Sequence, residues 1–224
     1  MSIRLILMGP AGSGKGTQAK IISQNYNIPV ISTGVLLRER ITVGDELGNE
    51  INSLISNGKL VPFDIMTRIL YDRLESEDCK NGFILDGFPR TIEQAIDFEE
   101  YLKSKKLSMD AVLVLNIPRD IVIKRTSGRF ECKKCKAVYN KFFSNTKVEG
   151  VCDVCGSTEF SVRSDDTDIN AINKRFDIYE DMSNRIIEYY DKKNLIYFID
   201  AVKNIENISQ DIDKIIKNIN KDKR

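Results

Sequence analysis

Apolar residues fall into two rhythms that alternate along the chain. Short, β-branched runs occur at IRLILM (Ile3–Met8), PVIS (29–32), GFILD (Gly82–Asp86), AVLVLN (Ala111–Asn116) and LIYFID (195–200). Helix-length segments separate them. Strands that read as continuous apolar runs and alternate with helices predict an α/β fold, a doubly wound parallel sheet of five strands with helices on both faces.

The helical segments carry stripes at three- and four-residue steps. One joins Ile169, Ile172, Phe176, Tyr179, Met182, Ile186 and Tyr190 behind Asp168 as N-cap. Another joins Ile205, Ile208, Ile212, Ile215 and Ile219. Each stripe is expected to face the sheet as core, with no ligand role. The lysine-rich end NKDKR reads as a solvated, frayed terminus.

Two segments break the rhythm. Residues 32–61 read as helical, with Leu47, Ile51, Leu54 and Ile55 on one face, and residues 128–166 hold four cysteines. Both are expected to be insertions into one core built from residues 1–31, 62–127 and 167–224.

Composition narrows the function classes. A chain of 224 residues can bury a sizeable core. Its 34 Lys and Arg nearly balance 33 Asp and Glu, so no global charge favours DNA, RNA or a membrane surface. The apolar runs are too short to span a bilayer, and the first runs straight into glycines without a secretory cleavage pattern. A cytoplasmic protein with no membrane partner is expected. The chain has no histidine, so its chemistry must proceed without imidazole.

The chemistry starts at GPAGSGKGT (9–17), which follows a strand and precedes a helix. Glycines there let successive backbone N–H groups converge on one anion, a helix N-terminus adds positive potential, and Lys15 supplies a mobile cation. The plain alternative is a glycine-rich turn. Gly16 follows Lys15 and the hydroxyl comes one place later, at Thr17, which leaves direct magnesium ligation by it open. Asp86 ends its strand at the carboxyl edge of the sheet, where it could hold magnesium directly or through water, or simply cap a turn.

Cys132, Cys135, Cys152 and Cys155 follow the spacing C-x2-C-x16-C-x2-C. In a reducing compartment two such pairs point to a metal rather than to disulfides, and four thiolates close a tetrahedral shell that suits structural zinc. Iron fits the same ligands. A module this small buries little core, so ligation would stabilise it. Cys79 is left over as a buried or free thiol.

At LDGFPRT (85–91), together with GPAGSGKGT, STGVLLR, SGR, RSDD and KRFDIY, the chain resembles the adenylate kinase family in its long, zinc-containing form. The resemblance covers nearly the whole chain. It implies a P-loop NTPase-type fold with a helical AMP-binding insertion at 32–61 and a zinc-bearing lid at 128–166. It further implies reversible conversion of ATP plus AMP into two ADP, with Mg2+ carried on ATP, by a monomer.

By position, Gly12, Ser13, Gly14, Lys15, Gly16, Thr17, Arg129, Val138, Tyr139 and Lys203 would line the ATP site. Thr33, Arg38, Lys59, Leu60, Val61, Gly87, Phe88, Pro89, Arg90, Gln94, Arg163 and Arg175 would line the AMP site. The catalytic cations expected are Lys15, Arg90, Arg125, Arg129, Arg163 and Arg175. A phosphate acceptor is already ionised at neutral pH and needs no base, so a site rich in arginine and lacking histidine suits the reaction. Guanidinium forks match phosphate oxygens, although a solvated surface role is the usual fate of any one arginine. Asp165 and Asp166, at the lid's exit, are expected either to bond lid arginines or to be solvated hinge acids.

Several positions depart from the family's habit: Val35, Phe63, Phe130, Asn140 and Ala201. Thr33 and Thr91 side with AMP over the related pyrimidine-nucleotide kinases, where Ala and Asn are usual. A nucleic-acid-binding ATPase with a zinc ribbon, using Lys133, Lys134, Lys136 and Lys141, is the alternative from another class.

Overall fold

The computed structural model describes residues 2–56, 61–162 and 166–222. The expectations for Lys59, Leu60, Arg163 and Asp165 fall outside these residues.

In chain order the elements begin with β1 (Ile3–Met8), α1 (Lys15–Tyr26), β2 (Val30–Ser32), α2 (Thr33–Thr42), α3 (Glu46–Ser56) and α4 (Phe63–Leu74). They continue with β3 (Gly82–Asp86), α5 (Ile92–Ser104), β4 (Ala111–Asn116), α6 (Arg119–Ser127), β5 (Arg129–Cys132) and β6 (Val138–Asn140). The last are β7 (Phe160–Ser161), α7 (Ile169–Asp191), β8 (Ile196–Asp200) and α8 (Ile205–Asp222).

Five strands form one sheet in the order β2-β3-β1-β4-β8, every neighbouring pair parallel. Because side chains alternate along a strand, each strand contributes to two cores. Leu5, Leu7, Ile84, Leu113 and Ile199 pack with Ala19 and Ile22 of α1 and Ile208, Ile212 and Ile216 of α8. Ile6, Phe83, Leu85, Val112 and Val114 pack with Leu70 of α4, Phe98 of α5, and Ile186 and Tyr190 of α7. Helices therefore cover both faces, and the sheet's carboxyl edge stays open for the loops.

The stripes hold over most of their length and fail at their starts. Ile169 and Ile205 are exposed at the first turn of α7 and α8, because a helix that begins at the rim of the sheet projects its first residue past the core. Near the end of α8 it is Ile216 that is fully buried, while Ile215 packs only partly. Ile55 is also exposed, leaving Ile51 as the fully buried residue of its face. Asp168 does cap α7, its carboxylate accepting from the Asn170 amide at 2.8 Å.

Residues 128–162 leave this architecture for a three-stranded antiparallel sheet, β6-β5-β7. Phe130 pairs with Tyr139, while Arg129 pairs with Asn140 and Glu131 with Val138. Strand alternation then puts Phe130, Cys132, Tyr139 and Phe160 on one side and Arg129, Glu131, Val138 and Asn140 on the other. The first side is a small aromatic core, with ring centroids 5.3 to 5.9 Å apart. Cys79 sits apart in the main core, where burial pushes its thiol up to about 11 and leaves it unreactive at neutral pH.

Candidate functional site: a phosphate loop beneath gathered arginines

The loop after β1 turns through Gly12 and Gly14, with φ of 85° and 96°, values that a side chain would strain. Gly14 N-caps α1 and has no side chain to offer, so no side-chain cap claims the first amides of the helix. Lys15 opens the helix and folds back over the loop, its Nζ donating to Gly9 O and, at 2.9 Å, to Pro10 O. Burial lowers its pKa from 10.5 to about 8; the Asp86 carboxylate opposes that shift, and the positive charges of Arg90 and Arg129 add to it. Charges from three separate stretches of the chain, at Lys15, at Asp86 and Arg90, and at Arg129, thus lie near enough to influence one another. A cation held this reluctantly is poised to welcome anionic oxygens.

Asp86 is the last residue of β3, at the open edge of the sheet. Gly87 follows with φ 83°, and the Phe88–Pro89 peptide bond is cis. Arg90 is anchored by its Nε to Gly87 O at 2.9 Å. Its own amide donates to Gln94 Oε1 at 2.7 Å, and Thr91 caps α5 by accepting from the Gln94 amide. Thr33 at the start of α2 reaches over to donate to Gly87 O at 3.2 Å.

Around these residues lies a cavity of about 110 Å³ lined by Thr33, Val61, Gly87, Phe88, Arg90 and Gln94, with Leu37, Met66 and Met182 closing its apolar side. The first six were expected from the sequence for AMP; the last three were not. Met182 corrects an expectation, since its stripe on α7 was assigned wholly to core. A helix longer than the sheet is deep has apolar positions left over to wall a cavity, and periodicity records burial without naming the neighbour. A larger groove of about 690 Å³ runs beside β8, between Arg119, Phe176 and Phe198, and holds none of the expected site residues.

Asp166 is fully buried and joins Arg129 to a further cation, Arg175. It accepts from Arg129 Nε at 2.7 Å and Nη2 at 2.9 Å, and from Arg175 Nη2 at 3.0 Å. Arg129 begins β5 and Arg175 lies on α7, so a single carboxylate holds together the module of residues 128–162 and the core. Of the two outcomes entertained for this acid, bonding to arginine is the one observed.

The remaining expected residues lie as follows. Ser13 is buried, while Gly16 and Thr17 face solvent on α1. Arg38 is exposed on α2. Lys203, between β8 and α8, bonds Asp211 of α8 through its Nζ at 2.7 Å. Val138 is exposed on the same side of its sheet as Arg129. Tyr139 is turned the other way, buried, its hydroxyl 3.2 Å from Cys152 Sγ. Arg125 bonds Val202 O at 3.5 Å and lies with its guanidinium 5.6 Å from the centroid of Phe143. Burial lowers its pKa.

The departures also find places. Phe130 belongs to the aromatic core of the small sheet. Asn140 ties that sheet to α6, donating to Arg125 O at 2.6 Å and accepting from the Phe142 and Phe143 amides. Val35 and Phe63 are exposed, and Ala201 is buried.

The four cysteine Sγ atoms lie within 4.8 Å of one another. Cys132 and Cys155 are 3.6 Å apart, and Cys135 and Cys152 3.5 Å. Four soft donors converging at such separations fit one tetrahedral metal ion.

Comparison with known proteins agrees with this geometry. A family model described as adenylate kinase matches residues 7–195. A protein named adenylate kinase from Clostridium tetani is 42% identical over 97% of this chain and 100% of its own length. One from Archaeoglobus fulgidus is 41% identical over 97% of this chain and 99% of its own. One from Finegoldia magna is 42% identical over 92% and 95% respectively.

Proposed function

This chain belongs to the adenylate kinase family, and on that premise we propose that it moves a phosphoryl group reversibly between ATP and AMP, giving two ADP, with magnesium accompanying ATP. It is a nucleoside monophosphate kinase. The observation that carries the reading is Lys15 folded back over the glycine-rich loop onto Gly9 O and Pro10 O, with the charges of Asp86, Arg90 and Arg129 close enough to act on it.

The residues divide the work. The amides from Gly12 to Thr17 and the Lys15 ammonium take the donor's phosphates, with Lys15 exchanging Gly9 O and Pro10 O for anionic oxygens. Arg90, Arg129 and Arg175 neutralise charge that repulsion would otherwise keep apart, and Arg163 joins them by its place in the motif. The acceptor's oxygen is already ionised, so positioning and electrostatic stabilisation carry the rate. The cavity beside Gly87 takes the AMP base, with Thr33 and Gln94 as polar contacts and Val61, Phe88 and Met182 as walls. Arg38, Lys59 and Leu60 are assigned to the AMP side by their place in the family motif alone.

On the donor side Arg125, Val138, Tyr139 and Lys203 surround the base and ribose. Tyr139 takes part through its backbone, since its ring is turned into the small sheet. Arg125, lying over Phe143 with no carboxylate bonded to it among the described residues, acts on the base rather than on the phosphates.

Two metals belong to the proposal. Magnesium, a hard cation, suits the Asp86 carboxylate at the open edge, and when bound it shields the phosphate charge. Zinc suits Cys132, Cys135, Cys152 and Cys155, where it supplies rigidity and no reaction step. Residues 128–166 then act as a lid that closes as one piece, excludes water from the transferring group and brings Arg129 onto the phosphates.

A monomer in the cytoplasm, with no nucleic-acid or membrane partner, completes the reading. It is supported by balanced charge and by cysteine pairs that suit a reducing compartment. A coupled assay of ADP formation, run with AMP, UMP and CMP as acceptors, tests the whole. AMP should lead by a wide margin, and no AMP-dependent ADP formation would overturn the proposal.

A further inference from the structure

Thr126 lies in the last turn of α6 and is completely buried, yet its Oγ1 has no hydrogen-bond partner among the described residues. A threonine inside a helix ordinarily returns its hydroxyl to the carbonyl four residues back, which here is Val122 O. Instead the side chain presses against the phosphate loop. A Cβ built on Gly12 would stand 2.5 Å from Thr126 Oγ1 and 3.4 Å from Val122 O, so α6 and the loop touch at a place where only glycine fits. Ser13, the next residue of the loop, is in the same position: fully buried, its Oγ without a partner. Buried hydroxyls left unpaired are costly and uncommon. One of them lies in, and the other against, the one loop that must change its internal bonds when Lys15 turns from Gly9 O and Pro10 O to an anion.

We infer that Thr126 is a positioning residue for the donor nucleotide: its hydroxyl pairs with the loop at Gly12–Ser13 when phosphates fill it, fixing the loop amides and linking their occupancy to α6. The helix ends at Gly128 and runs straight into Arg129, so the same contact passes the state of the loop toward the lid. This rests on the nucleotide reading of the loop proposed above. It adds a residue that the sequence motifs pass over, lying between Arg125 and Arg129.

The test compares the wild-type protein with Thr126→Val, which keeps the shape and removes the hydroxyl, and Thr126→Ser, which keeps the hydroxyl. ATP and AMP binding are measured by calorimetry, and melting temperature with and without each nucleotide. Thr126→Val should leave the free protein as stable as wild type or more so, since an unpaired buried hydroxyl is replaced by a methyl group. It should bind ATP about three- to tenfold more weakly and lose part of the ATP-induced rise in melting temperature, with AMP binding unchanged. Thr126→Ser should retain wild-type ATP binding.

Unchanged ATP binding in Thr126→Val would overturn the inference while leaving the kinase reading intact. So would a free protein that melts lower and loses ATP and AMP responses alike, which marks a packing role. A wild-type protein that binds neither nucleotide would overturn both.

Discussion

The parallel-sheet core and the small cysteine-bearing sheet solve the same problem, holding a fixed shape, by opposite means. In the core, strands buried on both faces feed two apolar layers, and Phe98 alone meets the rings of Tyr71, Phe83, Phe88 and Tyr101. The small sheet's apolar cluster has just Cys132, Tyr139 and Cys152 buried among the described residues, with side chains such as Phe130 and Phe160 packed partly against them. So few side chains bury little apolar surface to set against the entropy of ordering the segment, and on the zinc reading proposed above its four converging thiols supply the rest. The contrast suits the division of labour proposed above. A phosphate loop needs a scaffold that does not move, whereas a lid must leave the scaffold without losing its own form.

Removing metal is the strongest way to break this contrast. Binding worth on the order of 10 kcal/mol is typical of small structural zinc domains. A chelator should therefore open the backbone amides of residues 128–162 to hydrogen exchange while the core's unfolding transition persists. Phe98→Ala should do the reverse, lowering the core transition by about 3–5 kcal/mol and sparing lid protection. One transition that ignores chelation would show that the small sheet stands on packing alone.

The join between the two regions is the next target. Asp166→Asn leaves Arg129 and Arg175 facing each other without their shared carboxylate, and breaking a buried pair in this way costs about 3–5 kcal/mol. The expected result is a loosened lid and a raised KM for nucleotides, read by proteolysis at the lid boundary and by steady-state kinetics. Full protection together with wild-type KM would remove Asp166 from the account.

On the core side alone, Lys15→Met should keep the fold and lose about 10²- to 10³-fold in kcat, because its charge acts mainly in the transition state. The pH dependence is the finest probe. Folded Lys15 releases its proton near pH 8, against 10.5 for an ordinary lysine. Between those values the unfolded chain binds more protons, so the contribution of Lys15 to stability rises with pH across that window. ATP, which favours the charged form, should bind progressively more weakly above about pH 8, by at most about tenfold per unit. Both slopes should vanish in Lys15→Met, and calorimetry across pH 7–10 would reveal it if they do not.

All five core strands were legible from their β-branched runs, and the phosphate loop and cysteine quartet from spacing, because each is a local pattern with a local physical cause. Met182 departs from its stripe's expected role as core. Its period matched that of the buried Ile186, but one faces a cavity and the other the sheet. Tyr139 shows the limit from the other side, since only the register of β5 against β6 turns its ring toward Cys152 and leaves Val138 facing out.

The amino-acid order by itself determined which segments become strands, where the glycine-rich loop forms and which four thiols come together, since backbone preference, glycine conformation and cysteine spacing act over a few residues or through one fixed motif. Only the tertiary structure decided which arginines share Asp166, that Arg125 lies over Phe143, and that Thr126 reaches Gly12. Those outcomes depend on pairs far apart in the chain, and a one-dimensional pattern records that a residue will be buried without recording what it will meet.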